Sequence, residues 1–189
     1  MGKNPENYRK AHLAIRDAMT QNEVHEKSSM IVRRLVCSEW YQSSKEIFLY
    51  YPLKNEVDCT ALAEQAWRDQ KRTAFPLMAA GCQMNFFYVT SFEELSEGRF
   101  HVMEPLAECR KAEPNDQPVL VPGIAFGFDG NRYGYGKGYY DRFFARYPHL
   151  KKYGICFENQ LESSLPAGTT DVPMDRIYTE SEEIVLKWN

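Results

Sequence analysis

The spacing of apolar positions predicts a helical N-terminal region followed by short strands and further helices. From about Pro5 to Trp40, apolar side chains recur every three or four residues, as in an amphipathic helix, and the pattern breaks near Thr20–Asn22. The buried face of the second half is predicted to comprise Val24, Ser28, Ile31, Val32, Leu35 and Val36. Another helix is predicted from Thr60 to about Gln70, with Asp58 placed to cap it.

Short runs of β-branched and aromatic residues predict the strands. They are Glu46–Tyr51, Arg72–Leu77, Met84–Val89, the apolar run from Val119 that stops at Pro122 and Gly123, Tyr153–Phe157, and short terminal strands at Tyr178 and Ile184–Leu186. Pro52 is expected to end the first strand, and Pro76 to close the second.

The order of these elements predicts the fold class. The second and third strands are separated only by a turn at Gly81, so we expect them to be antiparallel. Phe92–Leu95 is predicted to form a helical turn, and Gly98–Pro118 is predicted to be mostly loop. The alternation of strands and helices predicts a single α/β domain over residues 1–189, a three-layer sandwich with a mostly parallel or mixed sheet between helix layers.

Composition and charge exclude several classes of protein. The chain is 43% hydrophobic and 14% aromatic, which suits a folded domain. Its net charge of -3 argues against a nucleic-acid partner, because a phosphate backbone is met by a broad basic surface. The five cysteines include no C-x-x-C pair, which suits reduced thiols. Without a signal peptide or a membrane-length apolar run, we expect a soluble, cytoplasmic protein with no membrane partner, and a monomer.

The segment Val119–Phe144, VLVPGIAFGFDGNRYGYGKGYYDRFF, is the strongest candidate for chemistry. It runs from a strand through a glycine loop into a helix, an order that builds phosphate sites in α/β proteins. Its glycines are Gly130, Gly134, Gly136 and Gly138. Arg132 and Lys137 place positive charge among them, and Asp141 follows where a carboxylate can hold a metal ion. The alternative is a surface turn rich in tyrosine and glycine.

Three other features are candidates for the same site. Arg9, His12 and Arg16 share one face of the first helix, and the alternative is an ordinary solvent-exposed face. Glu56 follows the first strand and has no evident local role, so it is either a solvated loop acid or a ligand-binding carboxylate. Asp171 lies in a loop after the Tyr153–Phe157 strand and is expected at the same edge of the sheet.

The motif VPGIAFGFDGNRYGYGKGYYDR closely resembles the signature of the 5-formyltetrahydrofolate cyclo-ligase (methenyltetrahydrofolate synthetase) family, and GYGKGYYDR is its specific core. FLYYPLKNEVD, the helix that carries Arg16, Pro76 and TDVPMD occur in the family's order. The resemblance implies a three-layer α/β domain that converts 5-formyltetrahydrofolate to 5,10-methenyltetrahydrofolate with ATP and Mg²⁺.

The resemblance also implies roles for individual residues. The implied ATP-binding residues are His12, Arg16, Arg132, Tyr133, Gly134, Tyr135, Gly136, Lys137, Gly138, Tyr139 and Tyr140. The implied folate-binding residues are Leu49, Glu56, Tyr135, Gly136, Lys137, Gly138 and Tyr139. Lys137 and Arg132 would be catalytic, and Asp141 and Asp171 would hold the metal ion. The family differs from this chain in having lysine at the position of His12 and, often, a basic residue at that of Leu77.

The implied chemistry needs positioning and charge rather than a covalent nucleophile. The formyl oxygen would attack the γ-phosphate of ATP, and N10 would then close the ring as phosphate leaves. Asp141 and Asp171 have alternatives as a helix-start acid and a turn residue. We expect Tyr140 and Phe144 to be mainly core and Tyr139 to lie nearer the ligand.

Two other functions remain alternatives at this point. One is a non-catalytic folate-binding or nucleotide-sensing relative, motivated by His12 and Leu77. The other is a different phosphate-handling enzyme on a similar scaffold, such as a sugar-phosphate isomerase.

Overall fold

The computed structural model describes residues 4–98 and 101–186. The α-helices are α1 Pro5–Asp17, α2 Gln21–Val36, α3 Glu39–Ser43, α4 Thr60–Arg68 and α5 Tyr139–Arg146. The strands are β1 Glu46–Phe48, β2 Arg72–Ala79, β3 Gln83–Val89, β4 Leu95–Glu97, β5 Met103–Pro105, β6 Pro118–Pro122, β7 Ala125–Gly127, β8 Arg132–Tyr133, β9 Lys151–Ile155, β10 Leu161–Glu162, β11 Arg176–Tyr178 and β12 Glu183–Val185. Short 3₁₀ turns occupy Ala80–Cys82, Phe92–Glu94 and Glu158–Gln160.

Local side chains set the helix boundaries. Thr20 and Glu23 form a reciprocal capping box that starts α2 and separates it from α1, so the predicted break near Thr20–Asn22 is confirmed. The carboxylate of Asp58 accepts hydrogen bonds from the backbone N–H (2.9 Å) and the hydroxyl (2.6 Å) of Thr60, which confirms its role at the start of α4.

A seven-stranded sheet forms the centre of the fold, in the order β12-β11-β9-β6-β1-β2-β3. The five inner strands are parallel to one another. The two edge strands are antiparallel to their neighbours, β12 to β11 and β3 to β2. The mixed sheet and the antiparallel β2–β3 hairpin were both predicted. A three-stranded sheet, β10-β7-β8, and the pair β4-β5 lie beside it.

Helices cover both faces of the central sheet. On β1, Ile47 packs in a core cluster with α2 and α4, whereas the next residue, Phe48, packs in a second cluster with Phe143 and Phe144 of α5. This alternation follows from the two-residue period of a strand. The predicted face of α2 is confirmed, with Val36 only partly buried. The predicted three-layer α/β fold is therefore confirmed.

The ends of some predicted strands are wrong, and β9 runs over Lys151–Ile155 rather than Tyr153–Phe157. β1 stops at Phe48 rather than Tyr51, because after Leu49 donates to the carbonyl of Ala74 (2.8 Å) the chain leaves the sheet. β2 continues through Pro76 to Ala79. β1 pairs with β2 only as far as Ala74, so at Pro76 the paired strand is β3, and the missing N–H of Pro76 breaks no bond to β1.

The described part of Gly98–Pro118 is mostly loop, as predicted, but it also contains pairing that was not predicted. β5 lies within it and pairs with β4, and Lys111 forms an isolated bridge with Phe87 of β3. Arg99 and Phe100 lie outside the described residues. The sequence pattern did not predict β5, because that strand is only three residues long and lies in a polar segment. None of the helices in the described ranges is long and apolar enough to span a membrane.

Gly154 on β9 allows the ring of Phe126 to enter the core. A Cβ at Gly154 would lie 2.5 Å from that ring. We expect Gly154→Ala to lower the free energy of unfolding by about 1–3 kcal/mol, the cost of overpacking a core. Urea unfolding measures the change.

Gly168→Ala is the matched control, because an added Cβ there would meet nothing closer than 3.5 Å. It should change the free energy of unfolding by less than about 0.5 kcal/mol. Equal stability of the two variants would contradict the packing argument.

Candidate active site

A cavity of about 610 Å³ lies at the carboxyl ends of the central parallel strands. Tyr50 and Tyr51 follow β1 into its wall, Pro122 ends β6 there, and Pro76 and Met78 contribute the end of β2. Ligands of open α/β sheets bind at this edge. The departure of the chain from β1 after Phe48 thus creates part of the cavity.

Most of the predicted site residues meet at this cavity. The predicted residues on its wall are Glu56, Arg132, Tyr133, Gly134, Tyr135, Gly136, Lys137, Gly138, Tyr139, Tyr140, Asp141 and Asp171. Three predicted residues do not line it. His12 and Arg16 are buried behind the wall, and Leu49 packs in the core beneath α2 and α4. The geometry gives Leu49 no side-chain contact with a ligand in this cavity.

The glycine loop between β8 and α5 forms one wall. Gly136 and Gly138 have φ of 83° and 64°, a left-handed conformation that glycine adopts at no steric cost. Lys137 is exposed between them, and no hydrogen bond or ion pair joins its ammonium to another described residue. The predicted strand and helix are present as β6 and α5, but the direct passage from that strand into the glycine loop is wrong, because the short strands β7 and β8 lie between them. The loop is not merely a surface turn, because its residues line the cavity.

Arg16 on α1 is the most deeply buried cation of the site, with 1% of its surface exposed. Its guanidinium lies 3.6 Å from the carboxylate of Glu56 and donates to the hydroxyl of Tyr135 at 2.7 Å. The hydroxyl of Tyr135 in turn donates to Glu56 at 3.2 Å. The alternative of a solvent-exposed face for α1 is therefore wrong at Arg16.

Glu56 is a buried carboxylate with several partners. Its second oxygen accepts the N–H of Leu53 at 3.0 Å, so it does have the local role that its sequence context did not reveal. Burial raises the pKa of Glu56 above its ordinary value, and the nearby Arg16, the Leu53 N–H and the Tyr135 hydroxyl offset part of that effect. Burial and the Glu56 charge also raise the pKa of Tyr135 to about 12, so its hydroxyl stays protonated.

His12 is held away from the cavity. Its Nε2 lies 2.9 Å from a carboxylate oxygen of Glu162, and the residue is 4% exposed. Arg9, one turn earlier, lines the cavity instead and donates to the carbonyl of Gly134 at 2.8 Å. Arg9 therefore places a positive charge at the cavity. The resemblance implies that a lysine at the position of His12 would supply this charge in the family.

Arg132 and Asp141 form an ion pair on the cavity wall. Nη2 of Arg132 lies 3.3 Å and 3.5 Å from the two carboxylate oxygens, and Nη1 donates to the carbonyl of Pro122 at 3.3 Å. The guanidinium also lies 5.5 Å from the centre of the Tyr140 ring. The Nε of Arg132 is buried without a hydrogen-bond partner among the described residues.

Asp141 and Asp171 line the same cavity although they come from distant parts of the chain. Asp141 accepts the N–H of Val172, the residue after Asp171, at 3.3 Å. Asp171 itself accepts the N–H of Gly168 at 2.8 Å, so the predicted turn role is present too. Within residues 4–98 and 101–186, no three or more His, Cys, Asp or Glu side chains are grouped to hold a metal. Two carboxylates suit Mg²⁺ that takes its other ligands from phosphate oxygens and water.

The aromatic residues divide differently from the prediction. Phe144 is core, as expected, but Tyr140 lines the cavity alongside Tyr139. Burial raises the pKa of Tyr140, so its hydroxyl is a neutral donor. Sequence reasoning missed the apolar wall formed by Met78 and Met84, and it also missed Arg142, although that residue stands inside the motif GYGKGYYDR.

The fold and the cavity together define an α/β protein with a basic glycine loop at the carboxyl edge of its sheet, an arrangement typical of enzymes that handle phosphate groups. The family model described as "5-formyltetrahydrofolate cyclo-ligase family" matches residues 2–180. The chain belongs to this family, whose members are enzymes of the ligase class. The resemblance seen in the sequence is thereby confirmed.

The chain aligns with individual relatives over most of the length of each. The chain is 38% identical to the 5-formyltetrahydrofolate cyclo-ligase of Saccharomyces cerevisiae, over 79% of this chain and 81% of that protein. It is 26% identical to the Escherichia coli enzyme of the same name, over 92% of this chain and 97% of that one. The NMR structure of Aquifex aeolicus 5,10-methenyltetrahydrofolate synthetase superposes with a TM-score of 0.84 at 31% identity, over 98% of this chain and 94% of that one.

The buried contact between Arg16 and Glu56 generates a stability prediction. Arg16→Met leaves a buried carboxylate without its cation, so we expect the free energy of unfolding to fall by about 3–5 kcal/mol. Denaturant unfolding followed by circular dichroism measures this loss.

The double variant Arg16→Met with Glu56→Gln is the control, since it also removes the buried negative charge. It should recover about 1 kcal/mol or more of the loss, because contacting residues are not additive. A double variant as unstable as the sum of the two single variants would contradict a direct interaction.

Proposed function

We propose that the protein converts 5-formyltetrahydrofolate to 5,10-methenyltetrahydrofolate in an ATP- and Mg²⁺-dependent reaction that releases ADP and phosphate. The observation that carries the proposal is that a single cavity has two chemically different walls. A basic glycine loop suited to phosphate faces an apolar and aromatic wall with one buried carboxylate. Membership of the cyclo-ligase family supplies the reaction class.

The nucleotide phosphates would lie against the glycine loop. Backbone N–H groups that glycines leave accessible, and the uncommitted ammonium of Lys137, suit phosphate oxygens. Arg132 would contribute its unpaired Nε, and Arg9 would extend the positive charge along the α1 side of the wall. Arg16 lies outside the wall, so its part would be to hold Tyr135 and Glu56 rather than to touch phosphate.

The folate would lie against the opposite wall. A pterin is flat and largely apolar on its faces, which suits Tyr50, Met78 and Met84. Its edge carries amine and ring N–H donors that match a carboxylate, and Glu56 is the carboxylate on this side. Since a carboxylate has about four acceptor positions, Glu56 can accept these donors while keeping the Leu53 N–H.

Asp141 and Asp171 would hold Mg²⁺. The bound ion would neutralise phosphate oxygens during transfer. Asp141 would have to exchange its contact with Arg132 for the metal, which would release the guanidinium toward the phosphates. The bound ion and the released guanidinium would then both add positive charge near the transferring phosphoryl group.

In the proposed reaction the two substrates provide all the reacting atoms, so no protein residue forms a covalent bond. The formyl oxygen attacks the γ-phosphorus and ADP leaves with the electrons of the broken P–O bond. The lone pair of N10 then attacks the activated formyl carbon, N10 gives up its proton, and phosphate departs with the former formyl oxygen. Lys137 and Arg132 would stabilise the charge on the transferring phosphoryl group, and the two walls would keep donor and acceptor in line.

The proposal predicts formation of the methenyl product by the purified chain. With 5-formyltetrahydrofolate, ATP and Mg²⁺ present, the absorbance of 5,10-methenyltetrahydrofolate should appear, and ADP should form in equal amount. Leaving out ATP, or removing Mg²⁺ with a chelator, should abolish both signals, because the phosphoryl donor or its neutralising charge is lost. Tight folate binding by folded protein without ADP release would favour the non-catalytic alternative.

Lys137→Ala should lower kcat by about 10²–10³-fold, the effect of losing one preorganised electrostatic donor. Steady-state kinetics at saturating 5-formyltetrahydrofolate and ATP measures it. The circular dichroism spectrum should stay unchanged, since the Lys137 side chain is exposed.

Lys151→Ala is the matched control for charge. Lys151 is also exposed, but it lies at the amino end of β9, the opposite end of the sheet. It should keep kcat within about twofold of wild type. If Lys137→Ala behaves like Lys151→Ala, Lys137 has no role in the reaction.

A further inference from the structure

Arg142, in the first turn of α5, joins the two walls of the cavity. Its Nε donates to the carbonyl of Cys82 at 3.2 Å, and its Nη2 donates to the carbonyl of Lys137. Cys82 lies in the turn between β2 and β3, whose strands carry the apolar wall, whereas Lys137 lies in the glycine loop. A single guanidinium therefore bridges segments that are about sixty residues apart in sequence.

The glycine loop needs such a contact because its own residues restrict it little. Lys137 stands between Gly136 and Gly138, and glycine has the greatest conformational freedom to lose. Arg142 contacts this segment through both its backbone and its side chain. Its backbone N–H donates to the carbonyl of Gly138 at 3.1 Å, the ordinary i→i−4 bond of a helix, whereas Nη2 donates to the carbonyl of Lys137. The side chain of Arg142 thus supplies a contact that restrains the Lys137 backbone.

The hairpin end of the bridge is also well defined. Cys82 has φ of 54°, uncommon for a residue with a side chain, and its carbonyl accepts from Arg142. Arg146, one turn later on α5, donates to the carbonyl of Met84 at 2.6 Å on the same hairpin. Arg146 therefore attaches α5 to the hairpin without contacting the glycine loop, and it provides a comparison for Arg142.

We propose that Arg142 is a positioning residue that couples the occupancy of the two halves of the cavity. Folate packed against Met78 and Met84 fixes the hairpin, Arg142 transmits that fixed position to the carbonyl of Lys137, and the loop is then held in place for the phosphates. Each ligand thereby binds more tightly when the other is present. This inference rests on the proposed function, since it takes folate and ATP as the two ligands.

The test measures the coupling between the two ligands directly. The affinity for a non-hydrolysable ATP analogue with Mg²⁺ is determined by calorimetry with and without bound 5-formyltetrahydrofolate. In the wild type, folate should raise this affinity by about fivefold or more, the lower end of typical coupling between sites. In Arg142→Gln the ratio of the two affinities should fall toward one, because the bridge is absent.

Kinetics give a second readout that separates positioning from general stability. Arg142→Gln should lower kcat/KM for ATP about tenfold, the effect of one lost charge-assisted hydrogen bond. The affinity for folate alone should change less than about twofold, because Glu56 and the apolar wall are intact. Arg142→Lys should restore part of the ligand coupling, since an ammonium can reach at least one of the two carbonyls.

Arg146→Gln is the matched control, and it should keep the wild-type coupling. The proposal is overturned if Arg142→Gln retains the wild-type ratio, if Arg146→Gln loses it equally, or if the wild type shows no coupling. These outcomes differ from failure of the proposed function, in which the wild type would bind neither ligand or would form no methenyl product.

Discussion

The buried guanidinium of Arg16 is the contact on which the site depends. A charge removed from water is costly unless it is paired and hydrogen-bonded. Arg16 meets Glu56, the Tyr135 hydroxyl and, at 3.4 Å, the carbonyl of Gly123. These partners come from the loop after β1, the glycine loop and the segment after β6. The need to pair one buried cation therefore holds α1 and these three segments together at the carboxyl edge of the sheet.

The same contact determines what the cavity can bind. The Arg16 guanidinium lies 3.6 Å from Glu56, and its positive charge offsets part of the rise in the Glu56 pKa that burial causes. Tyr135 is the exposed member of the trio, with 48% of its surface accessible, and its hydroxyl links Arg16 to Glu56. The contact between Arg16 and Glu56 does not pass through Tyr135, so it is independent of the position of that ring.

Much of the fold was predictable because it follows local rules. Residues close together in the sequence determine the two-residue period of the strands, the capping box at Thr20 and the Asp58 cap. The exit of the chain from β1 after Phe48 and the passage of β2 through Pro76 were not predictable, since both depend on which strands lie alongside. The placement of His12 against Glu162, 150 residues away, likewise depends on the packing of α1 against β10. The motif GYGKGYYDR identified the loop correctly, but it did not show that Arg142 points its donors at two different walls.

The cations of the site fall into two groups, and their difference bears on how a chain with a net charge of -3 would bind phosphate in the proposed reaction. Arg16 and Arg132 are already paired with Glu56 and Asp141, so they add little net charge to the cavity. Lys137 has no such partner among the described residues, and it lies between Gly136 and Gly138, two glycines with left-handed φ. A lysine ammonium is a compact charge on a flexible stem, so its direction of approach is set by the backbone that carries it. In the proposed reaction, the position of the Lys137 ammonium against phosphate would therefore depend on the contacts of the Lys137 backbone as well as on the number of positive charges. One such contact is the hydrogen bond from Arg142 to the Lys137 carbonyl.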